Sequence, residues 1–90
     1  MAFRIEIERR AFKAISKLPP PDRLRVAAAI DGLAEAPRPP GCQQVQAGPK
    51  GTFRIRVGDY RVIYVVLDEE GCVIVARVAR RSERTYTDLS

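Results

Sequence analysis

Between Thr52 and Tyr64 the chain reads TFRIRVGDYRVIY, and few stretches of this length leave so little choice of fold. Phe53, Ile55 and Val57 alternate with Arg54 and Arg56, the period of two that sends one set of side chains to each side of a strand. Gly58-Asp59 follows, a dipeptide suited to a tight hairpin turn. Beyond it, Tyr60, Val62, Tyr64 and Val66 share one face, while Arg61, Ile63, Val65 and Leu67 share the other. Two antiparallel strands are implied. Arg61 is then a charge near the start of an otherwise apolar strand, and its guanidinium must surface at the strand end or meet an anion. Arg54, Arg56 and Arg61 together make a candidate anion-binding face.

The rest of the chain supplies what such a hairpin packs against. Ala2 to Glu8 alternates Phe3, Ile5 and Ile7 with Arg4, Glu6 and Glu8, a half-buried strand. The period then changes to that of a helix: Ala11, Ile15 and Leu18 fall in register with Phe12 beside them, and Arg9, Arg10, Lys13 and Lys17 fill the opposite side. Pro19-Pro20-Pro21 stops this helix, because proline lacks the amide and restricts its predecessor. A second helix is predicted from about Pro21-Asp22 through Val26, Ala27, Ile30, Leu33 and Ala34, ending before Pro37-Arg38-Pro39-Pro40-Gly41. Residues 42 to 51 read as a loop or a short irregular edge strand. After the hairpin, Asp68-Glu69-Glu70-Gly71 is an acidic turn, and CVIVARVA from Cys72 to Ala79 is an apolar strand save for Arg77, expected to be central and covered on both sides.

Short turns link the last three strands into an antiparallel meander. The first strand joins the sheet at an edge or beside the last strand, and the helical hairpin covers one face. The fold class is α+β, in the order β-α-α-β-β-β, as one domain over residues 1–90. The opposite sheet face is left open, and Arg54, Arg56 and Arg61 are expected to project from it.

Composition narrows the chemistry. The net charge is +5, and thirteen of the sixteen basic residues are arginine, whose planar fork matches phosphate oxygens in pairs. Residues 50–61 and 77–84 each carry a net charge of +3. There is no histidine, and Cys42 and Cys72 have no CxxC spacing, so no metal site or cofactor is expected and both thiols read as small apolar residues. No apolar run approaches the ~20 residues that cross a bilayer, and no secretory signal is evident, so a cytoplasmic location is the default. The remaining set of arginine, lysine and tyrosine can support RNA self-cleavage. There a ribose 2′-hydroxyl attacks the adjacent phosphate, and the protein need only orient it, stabilise charge and move protons.

FRIRVGDYRVIY (53–64), the Lys17-Leu18-Pro19 triplet, Pro37-Arg38-Pro39 and VARVARRSERTY (75–86) carry a resemblance to the RelE/ParE superfamily of toxins from toxin–antitoxin pairs, over nearly the whole chain. The resemblance implies a translation inhibitor that cleaves messenger RNA on the ribosome and is neutralised by a cognate antitoxin, with DNA engaged only through that antitoxin. It implies three catalytic residues: Arg61 on the scissile phosphate, Arg81 on the transition state or leaving group, and Tyr86 orienting or deprotonating the attacking hydroxyl. Lys50, Arg54, Arg56 and Arg80 are the implied RNA contacts. Arg80 stands where many relatives have histidine or lysine, Gln46-Ala47-Gly48 replaces a basic triplet ahead of the hairpin, and the spacing from Arg81 to Tyr86 is short. A ParE-like inhibitor of DNA gyrase, without nuclease activity, is the alternative.

The same residues admit purely structural uses. Tyr86 can pack against the sheet end, and Arg61 can brace Asp59 or Glu83, although exposed pairs of that kind add little stability. Tyr60 and Tyr64 belong to the core face, and Arg77 fits either use.

Overall fold

A computed structural model describes residues 2–80 of the chain. Strand β1 (Arg4–Ile7) leads through Glu8 into helix α1 (Arg9–Ser16), and helix α2 (Pro20–Gly32) follows the proline break. A two-residue strand, β2 (Gln43–Gln44), precedes β3 (Thr52–Val57), β4 (Tyr60–Leu67) and β5 (Cys72–Arg80). The five strands form one sheet in the order β1-β5-β4-β3-β2. β3, β4 and β5 are the antiparallel meander that the short turns require, and β1 joins at the edge beside β5, parallel to it.

Local chemistry accounts for the junctions. Val57 pairs with Tyr60 across Gly58-Asp59, with φ +58° at Gly58 and no positive φ at Asp59, the sign pattern of a II′ turn with glycine first. α2 starts with proline in its first turn, where no amide is missed, and Asp22 sits near the positive end of the helix. Asp68–Glu70 forms one 3-10 turn closed by Gly71 at φ +60°. At Gly51 (φ +89°) a β-carbon would come within 2.9 Å of the Val66 carbonyl oxygen, so the loop can approach β4 only as glycine.

Both helices lie on one face, α1 over β5 and α2 over β3. Ala11, Ile15, Val26, Ile30 and Leu33 meet Ile55, Val57, Tyr60, Val62, Tyr64, Val66, Val73, Val75 and Val78 in a single core. Tyr64 is fully buried, and its hydroxyl donates to the Pro37 carbonyl at 2.8 Å, which ties the proline-rich connection to the sheet. Arg38 reinforces that tie. Its guanidinium pairs with Asp68 at 2.6 Å and lies 5.3 Å from the centre of the Phe53 ring.

Three expectations need correction. Phe12 is 61% exposed, because it lies a quarter-turn outside the Ala11–Ile15 stripe. Ala27 is exposed, and the buried stripe is Val26 and Ile30 of α2 with Leu33 just past its C-terminal end. β5 is not covered on both sides: Val73, Val75 and Val78 are buried under the helices, while Ile74, Ala76, Arg77 and Ala79 are only half-buried. Those helices are the only layer that the described residues add to the sheet.

β5 also changes phase. Tyr64 pairs with Val75 but Ile63 pairs with Arg77, so Ala76 is the extra residue of a β-bulge. Up to that point the odd-numbered residues face the core, and beyond it the even-numbered ones do.

Burial predicts an unequal response to truncation. Leu33→Ala should cost about 2–5 kcal/mol, whereas Phe12→Ala should stay within about 0.5 kcal/mol, both read from urea midpoints at unchanged slope.

Candidate functional site

The sheet face away from the helices carries the arginines. Arg56 pairs directly with Arg61, and Arg54 pairs with Ile63 two residues along. Directly opposed residues have β-carbons about 5 Å apart, so Arg56 and Arg61 place two positive charges side by side. Packing the apolar alternates against the helices forces this arrangement. Once Ile55, Val57, Tyr60 and Val62 face the core, every residue between them must face the other way.

Arg54, Arg56 and Arg61 line one cleft of about 280 Å³, with Gly41, Gln43 and Ile55 completing its wall. Gln43 aims Arg54. Its Oε1 accepts from Arg54 Nη2 at 2.7 Å and Nε at 3.2 Å. A neutral amide holds the fork without cancelling the charge, as a carboxylate would. Sequence reasoning missed Gln43, which lies in the stretch that carries no periodic signal. Only the proximity of a polar edge strand to Arg54 could have suggested it.

The other expected RNA contacts lie elsewhere. Lys50 lines a separate hollow of about 460 Å³ that also includes Arg38, Phe53 and the acidic turn Asp68, Glu69 and Glu70. Arg80 pairs with Tyr60, on the helix side of the sheet, because the bulge at Ala76 has shifted β5 by one residue. There it lines a groove of about 420 Å³ with Arg10, Lys13 and Lys17 of the α1 region. Arg81 and Tyr86 lie outside the described residues.

The two core tyrosines are unsuited to proton abstraction. Tyr60 donates to Asp22 Oδ2 at 2.8 Å, and that hydrogen bond, aided by burial, holds its phenol above the usual value. Burial pushes Tyr64 up further. A general base needs the opposite shift. No group of three or more potential metal-ligating side chains occurs among the described residues, and no helix is long and apolar enough to span a membrane.

Two helices on one face of a five-stranded sheet is the fold of solved RelE toxins. The comparisons agree. Residues 5–85 match the family described as the ParE toxin of type II toxin–antitoxin system, parDE. A Methanocaldococcus jannaschii protein named RelE1 is 31% identical over 83 residues, covering 90% of this chain and 92% of its own length. The archaeal RelE–RelB complex from Pyrococcus horikoshii superposes with a TM-score of 0.81 at 27% identity, over 92% of this chain and 99% of that one. The toxin–antitoxin complex RelBE2 from Mycobacterium tuberculosis gives 0.77 at 28% identity, over 90% and 100%. The chain belongs to the RelE/ParE superfamily and is a toxin of a toxin–antitoxin system.

Two predictions follow from the charges. Like charges directly opposed on a sheet are destabilising, so Arg56→Gln should leave the fold as stable or more stable by about 0.2–1 kcal/mol. The gain should shrink between low and high sodium chloride as screening grows; urea midpoints at the two salt levels test this. The tyrosines predict an alkaline limit. A phenol whose pKa is raised on folding stabilises the folded state fully below about pH 10, and that contribution is lost as pH rises through the raised value. Tyr64→Phe should therefore flatten the loss of stability above about pH 10, and the late-titrating phenol should vanish from absorbance at 295 nm.

Proposed function

We propose that this toxin is a ribosome-dependent endoribonuclease that cleaves messenger RNA and so inhibits translation. The observation that carries the reading is the direct pairing of Arg56 with Arg61 on the uncovered sheet face, with Arg54 in the same cleft. Two adjacent guanidiniums suit the non-bridging oxygens of one phosphate, whose charge rises as a fifth oxygen approaches phosphorus. The ribose 2′-oxygen forms the new bond to phosphorus and the bond to the 5′-oxygen breaks, leaving a 2′,3′-cyclic phosphate and a 5′-hydroxyl. The proton lost by the 2′-hydroxyl is balanced by the one that the 5′-oxygen gains.

In this reading Arg61 holds the scissile phosphate, Arg81 steadies the leaving oxygen and Tyr86 orients or deprotonates the nucleophile. Arg56 joins Arg61 at that phosphate, Arg54 grips the flanking backbone, and Lys50 and Arg80 meet more distant parts of the RNA. No metal or cofactor takes part. A cognate antitoxin is the natural partner, since similar toxins crystallise in RelE–RelB complexes. It would restrain the toxin in the cytoplasm and supply the only link to DNA.

The family description as a ParE toxin favours a second reading, inhibition of DNA gyrase through protein contacts without RNA cleavage. Expression followed by mapping of message ends on ribosomes separates the two. Cleavage within translated codons should fall about 10²–10³-fold with Arg61→Ala and be lost with Arg81→Ala. Intact messages together with gyrase-linked DNA breaks would establish the second reading instead.

A further inference from the structure

We propose that Arg77 is a further substrate-binding residue of the same face, taking an RNA phosphate next to the one held by Arg56 and Arg61; this rests on the nuclease reading above. The bulge in β5 puts Arg77 on this face. Had β5 continued in the register set by Tyr64 and Val75, Val62 would lie opposite Arg77, and a guanidinium would point into the core beneath the helices. Val78 would face outward in its place. The extra residue at Ala76 reverses both placements: Val78 is 8% exposed within the core, and Arg77 lies opposite Ile63 on the arginine face.

Two rows of side chains then cross that face. One runs Arg54–Ile63–Arg77 and the other Arg56–Arg61–Ala79, over three adjacent strands. Two strand spacings, about 10 Å, separate the backbones of Arg54 and Arg77. Arginine side chains are long enough for both to reach one nucleic-acid strand lying over Ile63. Arg77 is half-buried, and its side chain makes no hydrogen bond or ion pair with another described residue. Of the acids on the neighbouring strand, Glu6 lies opposite Ile74 and is held by Arg4 at 3.0 Å, and Glu8, whose amide bonds the Val75 carbonyl, lies 4.0 Å from Arg10. A planar fork without an acidic partner, set beside other arginines on an uncovered sheet, suits a phosphate diester.

The test is cleavage of messenger RNA on programmed ribosomes at increasing toxin concentration. A contact made equally in the ground and transition states sets the half-saturating concentration and leaves the plateau rate alone. Arg77→Gln should raise that concentration about tenfold or more at an unchanged plateau, and Arg77→Lys should recover most of the loss. Arg23→Gln removes an equal charge from the exposed side of α2 and should stay within about twofold of wild type. If Arg77→Gln does not fold by circular dichroism, Arg77→Met, of similar reach, carries the same comparison. Half-saturation by the Arg77 variant within twofold of wild type, or an equal loss in Arg23→Gln, overturns the role of Arg77 and leaves the nuclease reading intact. Absence of cleavage by the wild type overturns both readings, and that result needs no variant to recognise.

Discussion

One-sided burial governs this molecule. Two short helices can cover only one face of the sheet, and their stripe of Ala11, Ile15, Val26, Ile30 and Leu33 takes Ile55, Val57, Tyr60, Val62, Tyr64 and Val66 from β3 and β4. With a period of two there is no further freedom. A shift of one residue in either strand would carry Arg54, Arg56 and Arg61 beneath the helices, at a desolvation cost far above anything the hairpin could return. The arginine cleft is thus held in place by the core behind it, on strands rather than loops, which suits a site that must place charges accurately.

The arginines divide according to what they meet. Arg38 is used structurally: it bonds Asp68 and overlies Phe53, and so fastens the connection after α2 to the turn before β5. Arg4 is occupied by its neighbour Glu6. On the cleft the pattern changes. Arg54 is held by the neutral side chain of Gln43, and Arg56 faces Arg61, a second cation. No fold requires two guanidiniums side by side at some cost in stability. Such local departures from favourable pairing are the kind that proteins retain at functional sites.

Much of this was legible in the sequence because the decisive signals were local. The hairpin announced itself through Gly58-Asp59 and strict alternation on both sides, and three consecutive prolines separated the helices. The open face and its arginines followed from the same alternation. What escaped depended on non-local or ambiguous terms. Phe12 is apolar enough to suggest burial, but it lies off the Ala11–Ile15 stripe that α1 lays on β5. The placement of Lys50 depends on how a nonperiodic loop returns to the sheet edge, and no side-chain pattern encodes that path.

The bulge in β5 shows most clearly why sequence fell short. CVIVARVA is apolar at nearly every position, so a register that buries Val73, Val75 and Ala79 looks as good on paper as one that switches midway to Val78. The deciding energy lies in a single residue. Arg77 can be solvated only on the uncovered face, and a bulge that leaves Ala76 unpaired costs less than burying a guanidinium. The same slip carries Arg80 to the α1 side, into a groove with Arg10 and Lys13. One inserted alanine therefore decides which arginines of the last strand stand beside Arg61 and which do not, and the requirement that fixes the fold of β5 is the one that composes the charged face.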